Sequence, residues 1–197
     1  MSKKIFFVHG LNGGKKTWEH FKNIIKQDEE LKEFTLFEYS YPTILFKILP
    51  WTIIPKIQTI VDGLRSEINI KTDKQDDLIL IAHSMGGLIA RKYLIEEFKS
   101  KKQIQIRKVM LFATPNFGSD LANLHWLTRV VQIQQMKRNS DFISELASDW
   151  KNIGVEKYLR VRYLAAGKDR VVDIDNAKNY WNSSDYEVII NKNHRTI

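Results

Sequence analysis

The stretch LILIAHSMGG, residues 78–87, constrains the fold more than any other part of the chain. It begins with four consecutive apolar residues, which is typical of a central strand that helices cover on both faces. Ala82 and Gly86, two positions before and two after Ser84, have almost no side chain. A chain that turns sharply from a strand into a helix needs such small neighbours, because the flanking segments approach each other closely. The stretch therefore predicts a strand, a tight turn with Ser84 at its apex, and a helix.

The rest of the chain alternates short β-branched or aromatic runs with longer amphipathic segments, which indicates helices packed on a mostly parallel sheet. We predict six strands, at residues 4–8, 34–39, 78–82, 107–113, 159–165 and 186–190. We predict helices between them, at residues 17–26, 56–68, 85–99, 143–150 and 174–181. No repeat or linker interrupts this order, so one α/β domain over residues 1–197 is expected.

Ser84 is the candidate nucleophile, because the predicted turn presents its hydroxyl at the carboxyl end of a buried strand, where α/β sheets bind ligands. The helix that begins at Met85 directs its N-terminal dipole toward the same point. Serine is also a preferred N-cap residue, so the alternative is that Ser84 only caps this helix.

Around this AHSMGG turn the sequence resembles the α/β-hydrolase superfamily, specifically its lipase- and esterase-like members. It is similar to serine-active-site lipase-like proteins and, more loosely, to inositol-deacylase-like ones, from Lys4 to His194. The opening IFFVHGLNGGKKTWEHF looks like the strand and loop that supply half of an oxyanion hole, and FATPNFGSD looks like the lipase-type loop after the next strand. The resemblance implies a minimal three-layer α/β-hydrolase fold with about six strands. It also implies an oxyanion hole formed by the backbone N–H groups of Leu11 and Met85.

A serine hydroxyl needs a base within hydrogen-bond distance and a carboxylate that orients this base. His194 is the predicted general base, since it follows the last predicted strand and completes the order serine, acid, histidine. Only three residues follow His194, so the alternative is a histidine in a mobile tail. The other histidines are assigned elsewhere: His83 pointing away from the serine, His9 supporting the glycine loop, and His20 and His125 in segments that no motif places.

The orienting carboxylate is predicted in YLRVRYLAAGKDRVVD, residues 158–173. In the lipase-like resemblance, AGKDRVV matches the segment that carries the acid, and this maps the acid to Asp169. Asp173 is the alternative, but it stands where it would cap the helix predicted from residue 174, a common structural role for aspartate.

Residues 41–55 are predicted to lie near the edge where substrate enters. Phe46 and Trp51 in this segment are expected to bind substrate, either as a pocket wall or as a lid that meets an anionic membrane surface. Phe117 is also expected to bind substrate, and Trp126, with its neighbours His125 and Leu127, to form the opposite wall. The alternative is ordinary packing against the domain. Lys47, Pro50 and Pro55 interrupt the segment, which is also too short to span a bilayer.

Together these residues predict a serine hydrolase of carboxylic esters, an esterase or lipase acting on acyl lipids, with no metal or organic cofactor. Two alternatives remain: a non-catalytic binding module with the hydrolase fold, and an amidase, thioesterase or peptidase with the same residues. A third alternative, a phosphate-binding loop at GLNGGKKT, fits poorly. The Walker pattern places four residues between its first glycine and the Gly-Lys pair, and here only three separate Gly10 from Gly14.

Charge and cysteine content limit the partners and the compartment. The formal net charge is +8, from 31 Lys and Arg against 23 Asp and Glu, which favours anionic partners. The basic residues are not interleaved with stacking aromatics, so no nucleic acid is expected. The chain has no cysteine, and its first apolar run is too short for a signal peptide, so a cytoplasmic location is expected. The oligomeric state stays open.

Overall fold

The computed structural model describes residues 2–11, 13–14, 16–43, 55–100, 104–119, 131–178 and 185–197. The strands within these ranges are β1 (Lys3–Val8), β2 (Thr35–Tyr39), β3 (Asp77–His83), β4 (Ile106–Phe112), β5 (Arg160–Ala166) and β6 (Tyr186–Ile189). The helices are α1 (Glu19–Gln27), α2 (Ile57–Lys71), α3 (Met85–Lys99), α4 (Val131–Met136), α5 (Asp141–Ile153) and α6 (Ile174–Lys178). A 3₁₀ turn follows α5 at Val155–Lys157.

These six strands form one parallel sheet in the order β2-β1-β3-β4-β5-β6. The chain moves to one side of β1 to form β2 and then to the other side to form β3. Such a reversal opens a crevice outside the carboxyl ends of β1 and β3, and ligands bind there in open α/β folds. The prediction of a mostly parallel sheet covered by helices is confirmed.

Alternate residues of the strands build a core on each face of the sheet. Phe6 and Leu80 face one side, where they join a buried cluster with residues of α2, α3 and α5. Phe7 and Ile81 face the other side and join a cluster with Trp18 and α1. The uninterrupted apolar run of β3 is therefore explained, because both of its faces are covered.

Eleven of the fifteen residues of α3 are buried, so other parts of the chain cover this helix on nearly all sides. It packs against α2 on one side and α5 on the other. Its first turn lies so close to β1 that a Cβ on Gly86 would stand 2.5 Å from the carbonyl oxygens of Val8 and His9. In the described part of the chain, no helix combines the length and the apolar character needed to cross a bilayer.

Helix α4 and the 3₁₀ turn are the elements that the sequence did not predict. Side-chain amides hold α4 in place: Gln132 donates to the carbonyl of Pro55 at 3.0 Å. Gln135 accepts from the N–H of Ile57 at 3.0 Å, at the start of α2. In the described residues α4 has only six positions, three of them glutamine, so it shows little apolar periodicity. The helix predicted at 174–181 is observed as far as Lys178, and its last three residues lie outside the described part.

Candidate active site

Ser84 lies at the junction of β3 and α3 in a backbone conformation that residues other than glycine rarely adopt, with φ 52° and ψ −125°. Its N–H donates to the carbonyl of Phe112 at 2.9 Å, which fixes the turn against β4. Ser84 occupies the N-cap position of α3, yet its hydroxyl makes no capping hydrogen bond. The alternative role as a simple helix cap is therefore wrong, and the strained turn presents the hydroxyl to other groups.

His194 accepts a hydrogen bond from this hydroxyl. Its Nε2 lies 2.9 Å from Ser84 Oγ, and its Nδ1 lies 2.9 Å from Asp169 Oδ2. With Nδ1–H donating to the carboxylate, Nε2 is the acceptor for the serine O–H. The structure thus joins the predicted serine, histidine and aspartate in one hydrogen-bonded chain across residues far apart in sequence.

Asp169 lies three residues after β5, and its side chain is only 1% exposed. Its second oxygen, Oδ1, accepts the N–H groups of Val171 at 2.8 Å and Val172 at 3.0 Å. Burial alone raises the pKa of Asp169, but the hydrogen bonds from His194, Val172 and Val171 outweigh it and keep this pKa below the ordinary value. The carboxylate is therefore charged and fixed. Asp173 instead accepts the N–H of Asn176 at 2.8 Å and caps α6.

A short turn and a partner from β3 hold the loop of His194. Asn193 Oδ1 accepts the N–H of Arg195 at 3.0 Å, and Thr196 Oγ1 accepts the N–H of Asn193 at 3.0 Å. His83 Nε2–H donates to the backbone carbonyl of His194 at 2.6 Å. These contacts hold the loop on both sides and place His194 beside Ser84.

His83 does not bond Ser84, and its ring lies 5.0 Å from that of His194. Burial, and then the nearby His194, lower the pKa of His83 to about 4. The ring is therefore neutral near pH 7, with its single proton on Nε2. No local sequence pattern predicts this contact, because it joins residues 111 positions apart.

The loop after β1 folds around His9, which is buried and stacked on Tyr41 with ring centroids 4.2 Å apart. His9 Nδ1–H donates to the carbonyl of Gly10 at 2.9 Å, and burial lowers the pKa of His9. A Cβ on Gly10 would stand 2.7 Å from Ser84 Cβ, so the loop passes directly beside the serine. Leu11 follows at this point and is half-buried.

A model of the family described as "Domain of unknown function (DUF7379)" matches residues 3–162. The chain belongs to this family. The matched residues include Ser84 and end before Asp169 and His194, so the DUF7379 match covers the Ser84 turn but not the other two members of the hydrogen-bonded chain. A comparison with curated proteins found no match.

Solved structures show the fold of this DUF7379 member to be the α/β-hydrolase fold, with lipases and esterases among the similar proteins. Phospholipase PlaB from Legionella pneumophila superposes with a TM-score of 0.64 at 18% identity, over 93% of this chain and 42% of PlaB. A carboxylesterase structure from the thaumarchaeon Nitrososphaera gargenis gives 0.67 at 14%, over 98% and 83%. Mature lipase BlEst2 from Bacillus licheniformis gives 0.65 at 18%, over 98% and 85%. The chain thus spans less than half the length of PlaB.

Among the residues predicted to bind substrate, only Phe117 is described. It is half-buried in the loop after β4, and its N–H donates to Asn176 Oδ1 at 2.8 Å. Phe46, Trp51 and Trp126 lie outside the described residues, as does His125. His20 is exposed on α1.

A buried polar network beneath this DUF7379 site was not predicted. Arg91, fully buried in α3, donates from Nη1 to Asn116 Oδ1 at 2.8 Å, and its guanidinium lies over the ring of Trp150. Asn116 Nδ2 donates to the carbonyls of Asn176 at 3.1 Å and Ala177 at 3.0 Å. The network ties α3, which carries the serine turn, to the segment that follows Asp169. Over the residues that the structure describes, no group of three or more acidic or histidine side chains is placed to hold a metal ion.

Proposed function

We propose that the chain is a serine hydrolase of carboxylic esters, an esterase or lipase acting on acyl lipids, with Ser84 as nucleophile. The observation that carries this proposal is the hydrogen-bonded chain from Ser84 Oγ to His194 Nε2 and from His194 Nδ1 to Asp169 Oδ2, with 2.9 Å at each step. This arrangement of hydroxyl, imidazole and carboxylate activates a serine for acyl transfer.

In the first half of the reaction, Ser84 Oγ bonds to the ester carbonyl carbon while its proton passes to His194 Nε2. The carbon–oxygen bond to the alcohol then breaks, and the leaving oxygen takes the proton from His194. Asp169 takes no proton, but it holds the Nδ1–H tautomer and stabilises the imidazolium that forms between these steps. In the second half, His194 takes a proton from water, and the water oxygen attacks the carbonyl carbon of the acyl-enzyme. The bond from this carbon to Ser84 Oγ then breaks, Oγ takes the proton back from His194, and the acid is released.

Negative charge develops on the carbonyl oxygen in both halves, and the N–H groups of Leu11 and Met85 are proposed to stabilise it. The amide of Met85 is the first of α3 and so has no carbonyl partner within its own helix. Leu11 follows Gly10, which lies against Ser84. Backbone donors of this kind typically contribute about a hundredfold or more in rate.

The strain at Ser84 supports catalysis over a binding function. A positive φ at a residue other than glycine costs on the order of 1–3 kcal/mol and persists where function requires it. The Ser84 hydroxyl makes no helix-capping hydrogen bond, and the strained turn instead directs it to the hydrogen bond with His194. PlaB and BlEst2, a phospholipase and a lipase, share the fold and are consistent with an acyl-lipid substrate.

Hydrolysis of p-nitrophenyl butyrate and longer acyl esters tests the proposal, with matched amide and thioester substrates in the same panel. Ser84→Ala and His194→Ala are expected to lose at least a thousandfold in kcat, because removing a triad member leaves only residual catalysis. Ser66→Ala and His20→Ala change the same residue types at exposed helical positions and serve as controls. Folded wild type should also react with a fluorophosphonate at Ser84. Absence of both turnover and labelling would overturn the proposal.

A further inference from the structure

A cleft of about 720 Å³ lies beside His194, between the loop that follows β5 and the loop that follows β6. The two loops are joined where the N–H of Lys168 donates to the carbonyl of Lys192 at 2.9 Å. The cleft is lined by Lys168, Asp169, Arg170, Val171, Asn193, His194 and Arg195. It therefore adjoins the proposed general base directly.

The charge in this cleft is one-sided. Lys168, Arg170 and Arg195 are exposed, whereas the one acidic lining residue, Asp169, is buried and already bonded to His194. Across the described ranges, none of the three cations has a carboxylate within ion-pair distance, while nearby Arg138 pairs with Asp173 at 3.4 Å. The segments outside those ranges contain a single acidic residue, Asp120. With three cations and one carboxylate in its lining, the cleft consequently has a positive potential.

The proposed reaction fixes which part of a substrate meets this cleft. The leaving oxygen must come within hydrogen-bond distance of His194 to receive its proton. The acyl carbon is meanwhile bonded to Ser84, so the alcohol portion lies next to His194, which is also a lining residue of the cleft.

We propose that this cleft binds an anionic group, a carboxylate or a phosphate, on the alcohol portion of the ester; the inference rests on the proposed function. Two of the three cations are arginines, whose planar guanidinium groups bind both anions in a bidentate manner. Each exposed ion pair contributes little by itself, but three acting on one group are expected to favour the anionic ester by about tenfold in kcat/KM.

The test compares two butyrate esters that differ in the charge of the leaving group, 4-butyryloxybenzoate and its neutral amide, 4-butyryloxybenzamide. The kcat/KM of each is divided by its rate of hydroxide hydrolysis, so that intrinsic reactivity cancels. We expect an anionic-to-neutral ratio of about ten at low salt, falling as salt screens the cations. The triple variant Lys168→Gln, Arg170→Gln, Arg195→Gln is expected to bring the ratio close to one.

A control variant removes the same charge elsewhere. The control is the triple variant Lys26→Gln, Lys74→Gln, Arg160→Gln. Its three positions lie at the end of α1, before β3 and at the start of β5, near the amino ends of the strands and away from the cleft. This variant is expected to keep the wild-type ratio, because the effect comes from the cleft and not from net charge. An equal loss in both triple variants would overturn the inference.

The source of the anion is separated by two further substrates. Butyryl glycerol 3-phosphate is a soluble monomer, and a long-chain acyl glycerol 3-phosphate is presented in vesicles. A preference for the soluble phosphate over its neutral glycerol ester supports the inference and assigns the anion to a free phosphate ester. A preference for the lipid in vesicles over its neutral glycerol ester supports it and assigns the anion to a lipid headgroup. Turnover of neutral esters with a wild-type ratio near one overturns the inference and leaves the proposed function standing. Absence of all turnover and of fluorophosphonate labelling means that the proposed function itself is wrong.

Discussion

Replacing His83 by phenylalanine tests whether the hydrogen bond to the loop of His194 positions the proposed base. His83 Nε2–H donates to the His194 carbonyl at 2.6 Å, and its low pKa, about 4, keeps the ring neutral with one proton at this nitrogen. Phenylalanine keeps a ring of similar size but removes the donor. Glutamine carries an N–H at the same number of bonds from Cβ, so His83→Gln is the conservative variant that retains it.

The loss of one such hydrogen bond costs about 1 kcal/mol, which corresponds to about 2–4 °C in Tm for a chain of this size. The kinetic cost is expected to be larger, since a displacement of about 1 Å in a catalytic group can lower the rate a hundredfold. For His83→Phe we therefore expect kcat to fall about 10- to 100-fold with little change in KM.

The assay measures kcat and KM with p-nitrophenyl butyrate, the rate of fluorophosphonate labelling and Tm for wild type, His83→Phe and His83→Gln. The labelling rate reports activation of Ser84 by His194 and should fall in parallel with kcat in the phenylalanine variant. Glutamine should restore both to within a few-fold of wild type. A phenylalanine variant with kcat within twofold of wild type would refute the reasoning, and a glutamine variant as slow as phenylalanine would show that ring packing matters instead.

Three further predictions concern stability. Ser84→Gly should be more stable than Ser84→Ala by about 1 kcal/mol in urea unfolding, because only glycine relieves the positive φ; equal stability would contradict the strain argument. Hydrogen bonds from Lys4, the Asp73 amide and Ser2 hold the pKa of Asp76 well below its ordinary value. The charged Asp76 carboxylate therefore stabilises the folded state fully above about pH 4, and this stabilisation is lost as pH falls through the native pKa. Asp76→Asn should lower Tm at pH 7 and flatten the fall of Tm between about pH 4 and pH 2, whereas an unchanged slope would be inconsistent with this account. Asn116→Ala deprives the buried Arg91 of an acceptor at 2.8 Å and should cost about 3 kcal/mol in urea unfolding; a loss below about 1 kcal/mol would mean that the network relaxes.

The sequence predicted those parts of the fold that local chemistry determines. Helix α3 was predicted with its observed bounds, because Ser84 precedes its first residue and the apolar run of β3 ends just before it. The six strands were placed within a residue or two, since short β-branched runs stand out between amphipathic segments. Asp169 was assigned through the lipase-like resemblance, whereas Asp173 was predicted from its position to cap a helix, and the structure shows it capping α6.

Contacts between residues distant in sequence could not be predicted. Arg91 was expected only as part of an amphipathic helix, whereas it is fully buried and bonded to Asn116. An arginine in an amphipathic helix usually faces solvent, so nothing local marks this one as a core residue. Arg91 is buried because the loop after β4 lies against α3. This contact follows from the pairing of β4 with β3 in the sheet.

The anchoring of His194 combines both kinds of interaction. Asn193 and Thr196 form a turn around it whose partners lie within three positions, and a sequence with these residues at this spacing carries that information. The turn fixes the local path of the chain, but it does not fix where the imidazole stands relative to Ser84. One contact on this loop comes from His83, which ends β3 and directly precedes Ser84. Because His83 and Ser84 are adjacent residues at the end of β3, we expect a displacement of this strand end to carry both together and to preserve the 2.9 Å contact between Ser84 and His194.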